Sequence, residues 1–355
     1  MKVLVIQQKM IGDVLTSSLL FEAIKQKYPN SETHYAINTH TYAVVEQNPF
    51  IDVFKLITPK IRGSKIKFIK FLKEIKNEQY DVVIDVYSKT SSNLISWFSN
   101  AKTKISKHKY YTSFIYTHTA VFASVPQTAA GLAIENRWQL LEALGIKPSK
   151  EIRPKIFLSS ENKKNAKSYL IDKGILLDKP LYMLSVLGSD SSKTYPLDYM
   201  AMVIDIIIEK KPESQILFNY IPSQKNEADI LFSLCKAKTQ KRIFIEVFAE
   251  DLRTFVSITH FCNAMIGNEG GAVNMAKALE VPTFTIFSPW IKKEVWSLFE
   301  DGFKNTAVHL KDYKPEAFRG KSQGVIKSNA EALYQLFLPA LFEKKLDQFL
   351  NNGHE

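Results

Sequence analysis

A glycine and a carboxylate, Gly12 and Asp13, follow the apolar run at 3–6 and open an amphipathic segment. An acid at a helix start is favoured by the helix dipole, so Asp13 suits a capping role. The same position falls at the carboxyl end of a strand, where a carboxylate can instead meet a substrate and accept a proton. A second stretch, "GNEGGAVNMAKALEVPTFTIFSPW" at 267–290, gathers Gly267, Gly270 and Gly271 in a chain that has only 13 glycines. Placed between an apolar strand and a helix, they let backbone N–H groups approach an anion, and Glu269 can accept from a sugar hydroxyl. A tight strand–helix turn with Glu269 as its helix-start acid fits the same residues. In "LGSDSSKTYP", Lys193 precedes Pro196, which suits a first helical turn. It reads either as a cation for a diphosphate or as a solvated loop lysine. Glu227, one loop beyond the next strand, suits ribose hydroxyls or a helix cap.

The stretch "KIRGSKIKFIKFLKEIK" at 60–76 carries seven positive charges and one negative. Phe68, Ile69, Leu72 and Ile75 form an apolar stripe, and Lys67, Lys70 and Lys73 take another face. That face is a solvated helix surface or a patch for an anionic acceptor or membrane. The chain's net charge of +11 favours anionic partners in general. No nucleic-acid motif accompanies the aromatic residues, so nucleic acid is not an expected partner. None of the seven histidines joins a Ser/His/Asp arrangement. G-x-G-x-x-G, Walker A, H-E-x-x-H, C-x-x-C and D-x-D sequences are all missing, which removes the motif support for dinucleotide, P-loop and metal readings.

These residues need elements to position them. In the first half, apolar runs at 3–6, 33–37, 53–57 and 81–86 alternate with helical patterns at 14–27, 41–47 and 65–76. Such alternation signals βαβ units and a parallel sheet. A helix at 136–144 and a linker at 147–155 close this half. The second half repeats the scheme, with strands at 181–186, 215–219, 242–247, 264–266 and 283–287. Helices fall between them at 196–210, 224–234, 252–260 and 272–279, and a last helix at about 329–350. With 355 residues and 45% hydrophobic content the chain supports two cores, since single cores stop growing near about 250–300 residues. Two consecutive Rossmann-like domains are therefore expected: 1–155, 156–328, and a terminal segment 329–355 that packs back on the first. Two cysteines, Cys235 and Cys262, make no disulfide framework. Four apolar residues before Gln7 are too few for a signal-peptide core, and a cytoplasmic chain is expected.

Taken together, the motifs resemble a known family. "MKVLVIQQKMIGDVLTSSLLFEAIKQKYPNSETHYAI" resembles the opening of the ADP-heptose:lipopolysaccharide heptosyltransferases, glycosyltransferase family 9. There a strand, a Gly-Asp pair and a helix ending at Phe/Tyr-Pro follow one another. "SKTYP" resembles the family's Lys-x-Trp-Pro, with Tyr195 in place of Trp. "GNEGGAVNMAKALEVPTFTIFSP" resembles its Asn-Asp-Thr-Gly-x-x-His-x-Ala-x-Ala-Leu-x-x-Pro, and "ENRWQLLEALGI" the helix ending its first domain.

The resemblance implies an α/β, GT-B architecture, with two Rossmann-like domains whose parallel sheets face across a cleft. It also implies inverting, metal-independent transfer of a heptose from ADP-heptose to the inner core of lipopolysaccharide, with no cofactor beyond the nucleotide sugar. By position, Asp13 is the catalytic base, Lys193 binds the donor diphosphate and Glu227 the ribose. Asn268, Glu269, Gly270 and Gly271, with Asn274 nearby, hold the donor's sugar and phosphates. Gly12, Lys65, Lys67 and Lys70 are the acceptor-side candidates. The acceptor is a lipid-linked anionic oligosaccharide, met at the inner-membrane surface by a cytoplasmic, peripheral enzyme. No oligomeric state is implied. The departures lie on the donor side: Glu269-Gly270-Gly271 stands for Asp-Thr-Gly, and Asn274 for His. They leave open a different nucleotide-sugar donor, or a non-catalytic lipopolysaccharide-binding relative.

Overall fold

The computed structural model describes residues 1–149 and 151–352, so Lys150 of the expected linker and the last three residues lie outside it. The chain divides into two compact units, Met1–Phe157 and Leu158–Glu355. Among the described residues, no helix is long and apolar enough to cross a membrane.

Unit 1 is built on six parallel strands: β1 (Lys2–Ile6), β2 (Glu32–Asn38), β3 (Val53–Ile57), β4 (Val82–Asp85), β5 (Thr103–Lys107) and β6 (His118–Ala120). Their order is β3-β2-β1-β4-β5-β6. Helices cover both faces of a parallel sheet, so its inner strands read as unbroken apolar runs, and Val3 to Ile6 are fully buried. The chain leaves β1 toward β2 and later returns to place β4 on its other side. The strand order thus reverses at β1, and Ile6 pairs in register with Asp85. The expected 14–27 helix forms as two, Ile11–Ser17 and Leu19–Lys27. Thr16, Ser17 and Ser18 hydroxyls there donate back to carbonyls three or four residues earlier, competing with the helical ladder. Residues 39–44 form a 3₁₀ turn where a helix at 41–47 was expected. Helix Lys65–Asn77 starts at Ser64, whose Oγ accepts from the Lys67 N–H, and buries Phe71, Leu72 and Ile75. Ile69, expected in that stripe, is instead turned outward.

Unit 2 has five parallel strands: β7 (Leu181–Ser185), β8 (Gln215–Asn219), β9 (Ala264–Asn268), β10 (Thr283–Ile286) and β11 (Asn305–Val308). They are ordered β11-β10-β9-β7-β8, and the reversal falls between β7 and β9. The strand expected at 242–247 makes only one bridge, Ile243 to Ile216, before the Val247 N–H turns back to the Phe244 carbonyl.

The terminal segment corrects another expectation. It is a helix Ala330–Tyr334, a 3₁₀ turn Pro339–Leu341 and a helix Glu343–Asn351, not one helix. Pro339 has no N–H to continue a helix. Phe337, Phe342, Leu346 and Phe349 are buried in unit 2's own core with Phe284 and Ile204. Tyr195, fully buried, anchors this tail by donating its hydroxyl to the Phe337 carbonyl while its ring meets Tyr334, Phe337 and Phe342.

Gly267 fixes how closely β9 approaches β7. Its φ is +130°, and a Cβ would stand 2.4 Å from the Ser185 carbonyl oxygen across the strand pair. Gly267→Ala is expected to lower stability by about 2–4 kcal/mol, read from urea unfolding, because both backbone strain and a backbone clash oppose it.

Candidate functional sites at the strand ends

In unit 1 the loop after β1 delivers Asp13 to the third position of helix Ile11–Ser17. Its Oδ2 accepts weakly from the Met10 N–H at 3.4 Å, so the helix-start role is realised. Its Oδ1 accepts from Arg137 Nη2 at 2.9 Å. Arg137 comes from helix Leu132–Gln139 and is buried. Its other donors reach Ser17 Oγ at 2.9 Å and the Ala133 carbonyl at 2.6 Å. One guanidinium therefore fixes the carboxylate's orientation, and Oδ2 keeps lone pairs for another donor. The Asp13 side chain remains 29% exposed, so a substrate can reach it.

Other groups share this edge. Tyr35 donates to the Val14 carbonyl at 2.7 Å, and burial pushes its phenol up. Burial also raises the Tyr87 phenol, with Arg62 and Asp13 both close enough to act on it. The His40 imidazole is lowered by burial and then by Arg62 and Lys9. Asp85, at the end of β4, accepts from the Ser88 N–H at 2.7 Å and the Tyr116 hydroxyl at 2.6 Å. Full burial pushes its carboxyl up to about 6. Gly12 is half-buried beside Asp13. Lys65, Lys67 and Lys70 are exposed along their helix.

In unit 2 the loops after β7 and β9 meet at the reversal point. Gly188 donates its N–H to Thr194 Oγ1 and accepts from Gln224 Nε2, which laces the loops after β7 and β8 together. Lys193 ends a 3₁₀ turn, Ser191–Lys193, with its ammonium 5.4 Å from the centre of the Trp290 ring. Trp290 Nε1 and Ser288 Oγ both donate to the Ser192 carbonyl, and Lys327 approaches the same ring at 4.6 Å.

Asn268 was expected to face the donor. Its Oδ1 accepts from the Tyr195 N–H at 2.7 Å and its Nδ2 donates to the Ser185 carbonyl at 2.9 Å. Fully buried, it holds the loop that carries Lys193 rather than presenting itself to a ligand. Glu269, the next residue, does the opposite. Its Oε1 is buried and has no hydrogen-bond partner among the described residues. Burial raises its carboxyl, Lys193 draws it back down, and Asp190 pushes it up. Gly270 and Gly271 face open space, and no side chain caps helix Gly271–Ala278. Asn274 stands half-exposed in that helix. Its Cβ leans toward the open N-terminus. Glu227 is exposed in the first turn of helix Lys225–Leu234. A cation, an uncapped helix N-terminus and an unpartnered carboxyl together suit a ligand with both phosphate and hydroxyl groups.

Sequence reasoning did not single out Arg137 or Tyr334. Arg137 lies among the buried residues Ile134, Trp138 and Leu141, so its signal was a charge at core spacing within "ENRWQLL". The Tyr334 hydroxyl, buried and unpartnered among the described residues, stands close enough to Glu269 and Ser288 to feel both. Nothing local to "EALYQ" marks it.

The model of Glycosyltransferase family 9 (heptosyltransferase) matches residues 68–312. Lipopolysaccharide heptosyltransferase 1 of Campylobacter coli is 22% identical over 301 residues, covering 81% of this chain and 84% of that protein. Among solved structures, the glycosyl transferase family 9 protein of Veillonella parvula superposes with a TM-score of 0.76 at 17% identity, covering 94% and 97% of the two chains. The Escherichia coli heptosyltransferase WaaC with ADP superposes at 0.66 and 14% identity, covering 99% of each. Those two likenesses establish the fold.

Glu269 makes stability depend on pH in a definite direction. The folded chain holds this proton above the ordinary value of 4.5, so stability is lost as pH rises through the folded value. Glu269→Gln is expected to be more stable than the parent at pH 7 and equal to it below about pH 4. Urea unfolding of both proteins across that range measures the gap.

Proposed function

The chain belongs to glycosyltransferase family 9 and is a glycosyltransferase, and we propose that it moves a heptose from ADP-heptose to the inner core of lipopolysaccharide with inversion. The observation that carries the donor half of this reading is the convergence of Lys193 and the unpartnered Glu269 carboxyl on the uncapped helix at Gly271. The ADP in one structural relative and the likeness to the Campylobacter coli lipopolysaccharide heptosyltransferase 1 support the choice of donor.

In this mechanism the acceptor hydroxyl oxygen bonds to the anomeric carbon as the bond to the diphosphate breaks. Asp13 takes the hydroxyl proton, held in place by Arg137. A carboxylate is a weak base near pH 7, but the hydroxyl becomes acidic as its oxygen attacks. Lys193 and the N–H groups near Gly270 and Gly271 meet the charge that builds on departing ADP, a role that calls for no metal. Glu269 and Asn274 hold sugar hydroxyls, and Glu227 the ribose. Asn268 serves by fixing the loop. Unit 2 is then the nucleotide-sugar domain and unit 1 the acceptor domain. Lys65, Lys67 and Lys70, together with Lys9 and Arg62, attract a lipid-linked anionic oligosaccharide at the cytoplasmic face of the inner membrane, and Gly12 leaves room for it beside Asp13.

A second reading, the same reaction with another nucleotide sugar, is favoured by one feature: Glu269 reaches one methylene further than the family's Asp, beside a side-chain-free Gly270. Asp13→Asn is expected to cost about 10²–10⁴ in turnover while ADP still binds. Near-normal turnover in that variant overturns the assignment of the base. In a thermal-shift panel, ADP at about 100 times its Kd adds about 2.7 kcal/mol of stability. Stabilisation by UDP or GDP, with none by ADP, transfers the conclusion to the second reading.

A further inference from the structure

Helix Thr90–Phe98 of unit 1 is apolar on its outer side as well as its inner one. Ile95 is buried, while Leu94, Trp97 and Phe98, at helical spacing on another face, are exposed. The Trp97 ring packs on Phe114, 5.9 Å between centres, yet Phe114 is 72% exposed. Tyr110 and Tyr111, just before the 3₁₀ turn Ser113–Ile115 that packs beside this helix, are 92% and 71% exposed. Helix Lys65–Asn77 packs alongside and adds Ile66, 81% exposed, and Ile69. Exposed apolar side chains occurring singly need no explanation; a run of them on adjoining elements does.

Within the stretch that carries helix Thr90–Phe98 and the turns after β5, the charge has one sign. No Asp or Glu occurs between Asp85 and Glu135, whereas Lys89, Lys102, Lys104, Lys107 and Lys109 do. These cations are crowded: burial lowers Lys109, and Lys89 and Lys107 lower it further.

We propose that this face, formed by helix Thr90–Phe98 and the turns after β5, docks the protein on an anionic lipid bilayer. Trp97, Phe98, Tyr110 and Phe114 enter the interfacial layer, and the lysines pair with anionic headgroups. Aromatic rings with a polar or apolar body partition to that depth, and juxtaposed lysines gain from the negative surface potential. A second copy of the chain fits poorly, because a two-fold contact sets lysine against lysine. Single-stranded nucleic acid would use the rings but has no use for Ile66, Ile69 and Leu94. The proposal extends the reading of a lipid-linked acceptor by naming the surface that reaches it.

The test is co-sedimentation of the full chain with phosphatidylcholine vesicles, with and without roughly a third phosphatidylglycerol. Free of lipopolysaccharide and nucleotide sugar, the assay reads docking independently of transfer. Binding is expected to require the anionic lipid, to weaken as salt rises, and to fall at least about tenfold in Trp97→Ser/Phe98→Ser/Phe114→Ser. Transfer to a delipidated oligosaccharide is expected to stay at the parent's level in that variant. Tyr110→Ser/Tyr111→Ser, confined to an exposed turn, supplies the same readout if the triple variant fails to fold. Equal binding by parent and variants, or no preference for anionic vesicles, overturns the proposal. So does a dimer that the same substitutions dissolve, or an oligonucleotide complex that they abolish.

Discussion

Every strand in both sheets runs parallel to its neighbours, and parallel pairing makes all the strands of a unit end at one edge. The loops that leave that edge after β1, β3, β4, β7, β8 and β9 lead into helices, so helix N-termini and polar turns accumulate there. Where the strand order reverses, the two flanking crossovers lie on opposite faces and the loops beside them cannot fill the space between. In unit 1 that place is β1 beside β4, which gives Asp13 and the Asp85–Ser88 turn as neighbours. In unit 2 it is β7 beside β9, which gives Lys193 and Glu269. These polar groups sit where backbone pairing leaves room for them.

Keeping such a place open takes polar side chains that are not themselves chemical. Asn268 and Glu269 are adjacent in sequence and divide the work. The first spends its acceptor and one of its donors on the backbone of Tyr195 and Ser185. The second leaves an oxygen buried and unpaired. An unsatisfied buried acceptor costs about 1–3 kcal/mol, a cost that a ligand hydroxyl can remove. Arg137 stands to Asp13 as Asn268 stands to the Lys193 loop. It uses a rigid fork to hold another group in one orientation, which a lysine's single flexible ammonium cannot reproduce.

Strands β1 to β4 and β7 to β10 were legible because a parallel sheet covered on both faces favours apolar runs, and these have them. Strands β5 and β6 were not. β5 reads "TKISK" and β6 "HTA", half-exposed and polar, with too little apolar pattern to announce pairing. Residues 242–247 erred the other way: an apolar run that meets β8 at one point and then turns. The terminal aromatics looked like one amphipathic helix, but Pro339 and the pocket around Tyr195 made them a folded cover for unit 2. Within the sites, residues in loops at strand ends could be found from their position. Arg137 and Tyr334 could not, because each acts through a contact with a residue more than 60 positions away, and no local spacing encodes that.

Under the proposed reading, the altered loop after β9 is compatible with an unchanged reaction because its changes offset one another locally. Replacing an Asp by Glu269 lengthens the reach by a methylene, and a side-chain-free Gly270 removes bulk from the next position. The carboxyl has a charged setting: Lys193 draws it down, and the helix at Gly271 lacks a side-chain cap. What changes is the neutral fine structure, since Asn274 can donate a hydrogen bond but carries no charge. Charge stabilisation of a departing diphosphate depends on the cation and the helix N-terminus, and both are present. Discrimination between sugars depends on where hydroxyl partners stand, and under the proposed reading those partners are Glu269 and Asn274, the positions that depart from the family's motif. Under the proposed reading, charge stabilisation rests on Lys193 and the helix N-terminus and sugar choice on Glu269 and Asn274, so the second can drift while the first is kept.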